Sequence, residues 1–526
     1  KIAGLDDGGR VLTENVTLIA DGAPLDPKRN PCDWHFAVLY SLMTDRFLDG
    51  DPANNAPSSD GEVHPLADFQ GGDFAGVIAK LKEGYFKDLG LSAIWLSPVQ
   101  RQPAEAWVES IPPKRKFTGY HGYWPVAPRQ VDPRFGTEAE LKRLVKLAHG
   151  QGIKVILDLV TNHIHQEHPY FREHRDWFGQ VELPDGTLNI RNWGDETRLT
   201  TWFDTFLPSY DYLQAPEAIE QAVADAIWWL ETFDFDGFRQ DAVKHVPHLF
   251  WRRLTAEMKM RLPQKTMYQI GESFGSDELI GSYVNPGELD AQFNFSIYFP
   301  ARGLFFHDEP DFSNVKKMLA DNIRAFGPVN LMGNITSSHD QGRFMGFADG
   351  QVDFGENGTE RAFTQPPAEQ PDSTSYGKHA NFHAFNLALP GVPVVYYGEE
   401  IGMLGAGDPD NRRMMRFDGQ ISECEERLRQ AVAKLVRLRR EYPALSIGDI
   451  DVLRASGPVL VMARHYFDET IITAFNNGSR PAEIAIFVNV PGSRLSSLLD
   501  DESIKVVDGA TGFKLPPYSH QYWLLK

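Results

Sequence analysis

Three carboxylates in this chain stand where an apolar run ends. Asp241 closes Gly237-Phe-Arg239-Gln-Asp241, Glu272 follows the run 267–270, and Asp340 ends Ser338-His339-Asp340 after the weaker run 329–337. A fourth segment of this kind, Asp158-Leu-Val-Thr-Asn162-His163, follows 154–157. In a barrel of parallel strands, residues at strand C-termini converge on one mouth, where catalysis is normally built. Three carboxylates at one mouth suit a reaction that needs a nucleophile, an acid and an orienting group. Cleavage of a glycosidic bond is such a reaction.

Within that chemistry Asp241 is expected to be the nucleophile. Arg239 lies two residues earlier, on the same face of the strand, where a guanidinium keeps the carboxylate ionised and aimed. Glu272 is expected to be the general acid/base, its pKa raised by neighbouring anions. An Asp at a strand end can also simply cap the next helix.

The elements that must position these groups alternate. Strand-like runs at 37–43, 93–97, 154–160, 234–241, 267–272, 292–296, 329–340 and 392–397 are separated by helical patterns. One such pattern, 137–151, has Leu141, Leu144, Val145 and Ala148 on one stripe. The fold expected is α/β, a (β/α)8 TIM barrel, with an inserted lobe after strand 3 and a C-terminal all-β sandwich. Residues 1–31 read as an arm or the remnant of a preceding β-domain, with one strand-like piece at 16–20. The barrel takes 32–163 and 217–444, the lobe 164–216, and the β-domain 445–526. Residues 351–378 read as a long polar loop.

A formal charge of −20 argues against nucleic acid, which needs a basic face. No apolar run is long enough to span a membrane. Cys32 and Cys424 lie far apart and are expected as two free, buried thiols, although one long-range bridge is compatible with the sequence. A start at Lys1 without an initiator Met, basic n-region or apolar h-region fits a processed export product or a trimmed chain alike. The expectation is a secreted or periplasmic protein.

The four segments, in this order and in strand contexts, resemble the signature regions of the alpha-amylase family of glycoside hydrolases. The resemblance covers most of the chain and implies a soluble enzyme acting on an α-glucan or maltooligosaccharide. It makes Asp340 the third carboxylate, binding sugar hydroxyls and favouring ring distortion. It places His163 and His339 on hydroxyls of the sugar being cleaved, counts Arg239 among the substrate-binding residues, and has Asp158 support Arg239. The stretch Gly119-Tyr120-His121-Gly122-Tyr123-Trp124 resembles the family's sugar platform, with Tyr123 stacking on the pyranose and His121 and Trp124 beside it. Lys244 and His245 would hold sugar on the leaving-group side, with Phe274 at an acceptor-side subsite. Asp408 and Arg412, in Gly407-Asp-Pro-Asp-Asn-Arg412, would contact sugar on the donor side; the same residues are also strong turn chemistry.

Asp49-Gly-Asp51-Pro-Ala-Asn54-Asn55, with Gly71-Gly-Asp73, resembles a calcium site of cyclodextrin glucanotransferases and their hydrolytic relatives. Asp49, Asp51, Asn54, Asn55, Asp73 and the Gly71 carbonyl supply the hard oxygens that Ca2+ requires. A solvated turn would use the same residue types. A second family calcium site would use Asn162, a lobe carboxylate and the His245 carbonyl, but Ser209 stands at the usual Asp.

The starch-binding domains of cyclodextrin glucanotransferases are missing, and so is the aromatic of their cyclising site, whose position falls near Thr205. The expectation is therefore an alpha-amylase-like endo-hydrolase. A cyclomaltodextrinase or neopullulanase type of hydrolase, or a glucan transglycosylase, is the alternative. A glucan-binding protein that has lost catalysis is the remote one, since both catalytic carboxylates are present.

Overall fold

The computed structural model describes residues 2–5, 11–489 and 491–526. Its centre is a sheet of eight parallel strands: β1 Leu39–Leu42, β2 Ala93–Leu96, β3 Lys154–Leu159, β4 Gly237–Gln240, β5 Tyr268–Gly271, β6 Ala291–Gln292, β7 Gly333–Ile335 and β8 Val392–Tyr396. Neighbours run in chain order from β1 to β6, and β8 pairs with both β1 and β7. A parallel bridge between Phe293 and Gly333 joins the two remaining edges and closes the barrel. Every residue of these strands except Lys154 is buried, as expected where helices cover a parallel sheet. Gly237 opens β4 at φ +143°, and a Cβ there would lie 1.9 Å from the Tyr268 carbonyl oxygen, so only glycine brings β4 this close to β5.

The helix Glu138–Gly150 shows how sequence dictates the outer layer. Thr137 and Glu140 form a reciprocal capping box, and the expected stripe of Leu141, Leu144, Val145 and Ala148 is buried. Other boundaries differ from expectation. The sixth strand ends at Gln292, because Phe295–Phe306 is a helix that buries Phe295, Tyr298, Phe305 and Phe306. The seventh shrinks to Gly333–Ile335. The stretch expected as a long polar loop carries the helix Gly358–Thr364 and the start of Ser373–Leu387, each opened by a capping side chain, Asn357 and Asp372.

The segment after β3 forms a lobe with two short helical turns, Pro169–Glu173 and Arg175–Trp177. Towards the C-terminus, six antiparallel strands form one sheet, and the ribbon Ala482–Phe487 with Ala510–Leu515 packs on it around Val461, Ile472, Ile484 and Trp523. Two buried arginines, Arg439 on the last barrel helix Glu423–Glu441 and Arg464 on the sheet, bond backbone oxygens where the barrel meets the sheet. Arg439 donates to the carbonyls of Leu387, Leu389, Gly391 and Leu445, and Arg464 to those of Ala388, Leu445 and Gly448. At the other terminus Ile2–Leu5 pairs with Val11–Asn15, and Ile19–Ala20 with Ala23–Pro24; residues 1 and 6–10 of the expected arm lie outside the described residues. Both cysteines are free thiols, yet Cys32 is exposed and Cys424 half-buried, so neither is a core residue as expected. No described helix is long and apolar enough to cross a membrane.

Candidate active site

Strand register builds the centre. Asp158 on β3 lies opposite Arg239 on β4, and Gln240 opposite Gly271 on β5, so Asp241 and Glu272 both stand one residue past the last paired rung. The Glu272 amide donates to Gln240 O at 3.0 Å, and the Val243 amide to Glu272 O at 2.9 Å, which fixes both strand ends. Arg239 is 1% exposed and holds three carboxylates. Its Nη1 donates to Asp158 Oδ1 at 2.9 Å and Asp241 Oδ1 at 2.8 Å, and its Nη2 to Glu272 Oε2. Asp158 is also bonded by Trp95 Nε1 at 3.0 Å and the Tyr123 hydroxyl at 2.6 Å.

A cavity of about 600 Å³ opens over this centre, bordered by Asp241, Glu272 and Asp340. Of the substrate contacts expected from sequence, His121, Tyr123, Trp124, His163, Lys244, His245, Phe274, His339, Asp408 and Arg412 all border it. Arg239 does not. It lies beneath the carboxylates, where its charge aims them and cannot reach sugar. Trp124 is buried edge-on against His121 and Phe206, so it offers the cavity little of its face. The Tyr123 ring stacks on His339 with 5.2 Å between centroids. Its single hydroxyl proton goes to Asp158, so His339 Nε2, 2.9 Å away, is the donor toward it. His163 Nε2 bonds Tyr123 O at 3.0 Å, and Lys244 Nζ donates to Phe274 O at 2.8 Å. Phe274 is 38% exposed and stacked on Phe295.

Burial pushes the Glu272 carboxyl up to about 8 against the pull of Arg239, aided by the anions Asp340, Asp241 and Asp158. Asp340 goes the other way. Burial would raise it, but His339 Nε2 at 3.0 Å and Arg412 Nη2 at 3.1 Å hold it well below the usual carboxylate range. At neutral pH one carboxyl in this centre is therefore a proton donor and another is firmly ionised, the separation of roles that acid/base chemistry needs.

The family description of the alpha-amylase catalytic domain matches residues 41–437. The chain belongs to the alpha-amylase family. A cyclomaltodextrinase of Geobacillus thermopakistaniensis is 29% identical over 507 residues, covering 92% of this chain and 76% of that protein. A cyclomaltodextrin glucanotransferase of Geobacillus stearothermophilus is 28% identical over 540 residues, covering 97% of this chain and 70% of its own. Among solved structures, an Anoxybacillus alpha-amylase superposes with a TM-score of 0.78 at 29% identity, covering 94% of this chain and 98% of its own. An alpha-amylase from Geobacillus thermoleovorans, solved with acarbose, gives 0.76 at 29%, covering 94% and 99%. This alpha-amylase family member is thus a glycosidase built on the barrel described above.

Sequence reasoning missed the lobe's contribution to the cleft. Trp193, 42% exposed, packs on Phe203 and His245, and Phe203 stacks on His163. Glu109, Arg191 and Asp204 also border the cavity. No periodicity marks these residues; for those of the lobe the only signal was the density of aromatic and acidic residues in the excursion after β3, and Glu109, in the connection after β2, carried none.

The expected calcium residues gather after β1. Asp49 Oδ1 and Asn54 Oδ1 are buried oxygens without a hydrogen-bond donor. Asn55 Nδ2 donates to Asp49 Oδ2 at 2.7 Å. Asp51 Oδ1 accepts from the Ala53 amide, and Gly71 sits against the Asn55 side chain at φ +89°. Asp73 has a second duty: it caps the helix Phe74–Glu83, and its oxygens accept from the amides of Gly50, Asp51 and Gly76 and from Asn54 Nδ2. At the second site, Asn162 Nδ2 donates to Ser209 Oγ at 3.2 Å, and the Arg198 guanidinium bonds the Lys244 carbonyl. A fixed cation beside His245 and a hydroxyl in place of a carboxylate both disfavour a calcium ion there.

Proposed function

We propose that this protein hydrolyses α-1,4-glucosidic bonds in starch-like glucans and maltooligosaccharides with retention of configuration. The observation that carries this reading is the shared guanidinium. With Asp241 and Glu272 on the two terminal nitrogens of Arg239, the carboxyl groups sit side by side. That suits the spacing of about 5–5.5 Å in retaining enzymes rather than the about 6.5–9.5 Å that holds a water in inverting ones.

Asp241 Oδ1 is held by Arg239, which leaves the other carboxylate oxygen to attack the anomeric carbon. As that bond forms, the bond from C1 to the leaving oxygen breaks, and its electron pair takes the proton of Glu272. The result is a β-glucosyl ester on Asp241 and a shortened glucan. Water then gives a proton to the Glu272 carboxylate while its oxygen attacks C1, releasing Asp241 and an α-configured product. Asp340, kept ionised, accepts hydroxyl protons of the bound sugar, with His163 and His339 beside it. Phe274 and Trp193 give the leaving glucan aromatic faces.

Calcium fits the loop after β1 in part. Asp49, Asn54, Asn55 and the Gly71 carbonyl would hold it, because two of their buried oxygens otherwise lack a partner; Asp73 already serves four donors. An ion there would supply structural stability to the loop under the barrel mouth.

Proton NMR of the first minutes of maltoheptaose hydrolysis tests the reading. The α-anomer should appear before mutarotation; initial β-anomer would overturn the mechanism and the roles of both carboxylates. The relatives named for cyclic glucans favour a second reading, in which cyclodextrins are the better substrate; parallel rates on β-cyclodextrin and maltoheptaose separate the two.

A further inference from the structure

A fastened hairpin borders the cavity. The hairpin Trp107–Val108 with Lys116–Phe117, in the connection after β2, is fastened on both sides. Toward the lobe, buried Asp204 accepts from the Ser110 amide at 3.1 and 3.3 Å, Arg191 Nη2 faces Glu109 Oε1 at 3.6 Å, and Trp107 packs on His165 and Phe206. Toward the far side, Arg115 donates to Thr359 O at 3.1 Å and Glu360 Oε2 at 2.6 Å, and lies 3.7 Å from the Phe363 ring. The helix Gly358–Thr364 is in turn bonded to the loop after β8, from the Gly407 amide to Gly358 O at 2.9 Å. Lobe, hairpin, helix and loop thus make one continuous band, and Glu109, Phe117, Arg191, Asp204 and Asp408 on it border the cavity.

The inner side of this band is polar and built for a ligand. Glu109, Arg191 and Asp408 all border the cavity. Asp408 is fixed by the Tyr120 hydroxyl at 3.1 Å and Arg412 Nη1 at 3.0 Å. Arg191 is held at φ +51°, in the left-handed region, and its Nε donates to Phe203 O at 3.0 Å. Glu109, Asp204 and Asp408 border the same cavity, and burial raises the Glu109 carboxyl against Arg191, with the charges of Asp408 and Asp204 adding to the rise.

The side of the cleft on which the band lies follows from the acid. Glu272 protonates the leaving oxygen, so the departing glucan extends past Ser273 and Phe274. The portion transferred to Asp241 extends the other way, toward Asp340, Asp408 and the band. In an α-1,4-glucan that portion ends in the non-reducing terminus.

We propose that the band is the end wall of the donor side, and that Glu109 and Asp408 accept hydroxyls of the non-reducing terminal glucose. This rests on the glucosidase reading above and replaces the endo action expected from sequence with exo action. The protein takes a linear chain by its end and releases one short product; a closed ring has no end to offer.

The test compares two nitrophenyl maltoheptaosides, one of them carrying a 4,6-O-alkylidene group on its non-reducing glucose. The open-ended substrate should yield one short maltooligosaccharide from the first time point, and the blocked one should turn over at least about 100-fold more slowly, because its terminus clashes with the wall. The double variant Glu109→Ala with Arg115→Ala removes the polar face and one fastening, and should raise blocked-substrate turnover relative to open. Comparable turnover of both substrates by the native protein would overturn the wall while leaving the glucosidase reading intact. Turnover of neither would overturn the glucosidase reading and this inference together.

Discussion

Arg239 Nη1 donates to Asp241 Oδ1 at 2.8 Å from two positions earlier on the same strand, and the other terminal nitrogen of that guanidinium bonds Glu272 on the next strand. One planar fork therefore sets the relative position of the two carboxyl groups that the mechanism uses. An ammonium cannot do this, because it is a point charge on a flexible stem. Arg239→Lys should lower kcat by about 100-fold or more with a smaller change in KM, the pattern of a positioning residue. Steady-state kinetics on maltoheptaose, with circular dichroism to verify folding, checks the split.

Asp241→Asn removes the nucleophile and should lower turnover by at least about a thousandfold with the fold retained. A folded variant that kept a tenth of native activity would rule out this assignment.

Glu272 carries a sign that can be read in pH. With its carboxyl pushed up to about 8, it is protonated below that pH and loses its proton above it. The alkaline limb of kcat/KM on maltooligosaccharides should therefore fall near pH 8, and Glu272→Gln should lack that limb. Fluorophenyl glycosides with good leaving groups should be cleaved by Glu272→Gln with a much smaller loss than maltoheptaose. The stability effect follows from the same shift. The folded carboxyl binds its proton more tightly than the unfolded one, near about 4.3. Its contribution is full below that value and is lost as pH rises toward about 8. The Tm of Glu272→Gln should then fall less than that of the native protein between pH 5 and 9.

Trp193 presents an aromatic face beside His245. Aromatic contacts of this type contribute about 0.5–1.5 kcal/mol beyond area burial, so Trp193→Ala should raise KM for maltoheptaose about two- to tenfold. A change in kcat alone would place Trp193 in the chemistry instead.

Calcium and the helix cap separate by mutation. Chelation should lower the Tm of the native protein, since an ion bound only to the folded state stabilises it. Asn54→Ala should shrink that shift, because its Oδ1 is one of the two unpartnered oxygens. Asp73→Ala should lower Tm with or without chelator, since the lost cap alone costs about 0.5–2 kcal/mol of stability. A melt unchanged by chelation, with no calcium found by elemental analysis, would remove the site.

The strands and the centre were legible because their signals are local. Five barrel strands, Leu39–Leu42, Ala93–Leu96, Lys154–Leu159, Tyr268–Gly271 and Val392–Tyr396, are mainly apolar, and Asp241 and Glu272 stand directly after strand ends. The helix Glu138–Gly150 was legible through its stripe and its capping box. The lobe was not, because Trp193, Arg191 and Asp204 owe their positions to tertiary contacts with His245, Glu109 and Ser110, distant in sequence. The short sixth strand was misjudged for a related reason. Phe293 and Phe295 suit a strand by composition, yet from Phe295 the chain turns helical and so buries Phe295, Tyr298, Phe305 and Phe306 on one element. Arg239 shows a limit of another kind: spacing put it next to Asp241, and only the packing of Trp95 and Tyr123 shows that it lies below the cavity floor.

Arg439 and Arg464 have no carboxylate within reach of their guanidinium groups among the described residues, and seven carbonyl bonds take that place. Separating the terminal sheet from the barrel would strip the bond from Arg464 to the Ala388 carbonyl and leave that buried cation short of an acceptor, while Arg439 would keep its bonds to Leu387, Leu389 and Gly391 within the barrel. Partial opening at this seam is therefore costly, and the two regions should melt as a single cooperative unit in calorimetry. Proteolytic excision of the sheet would then leave no folded barrel behind, so the terminal region acts as a clasp on the catalytic one rather than as an appendage to it.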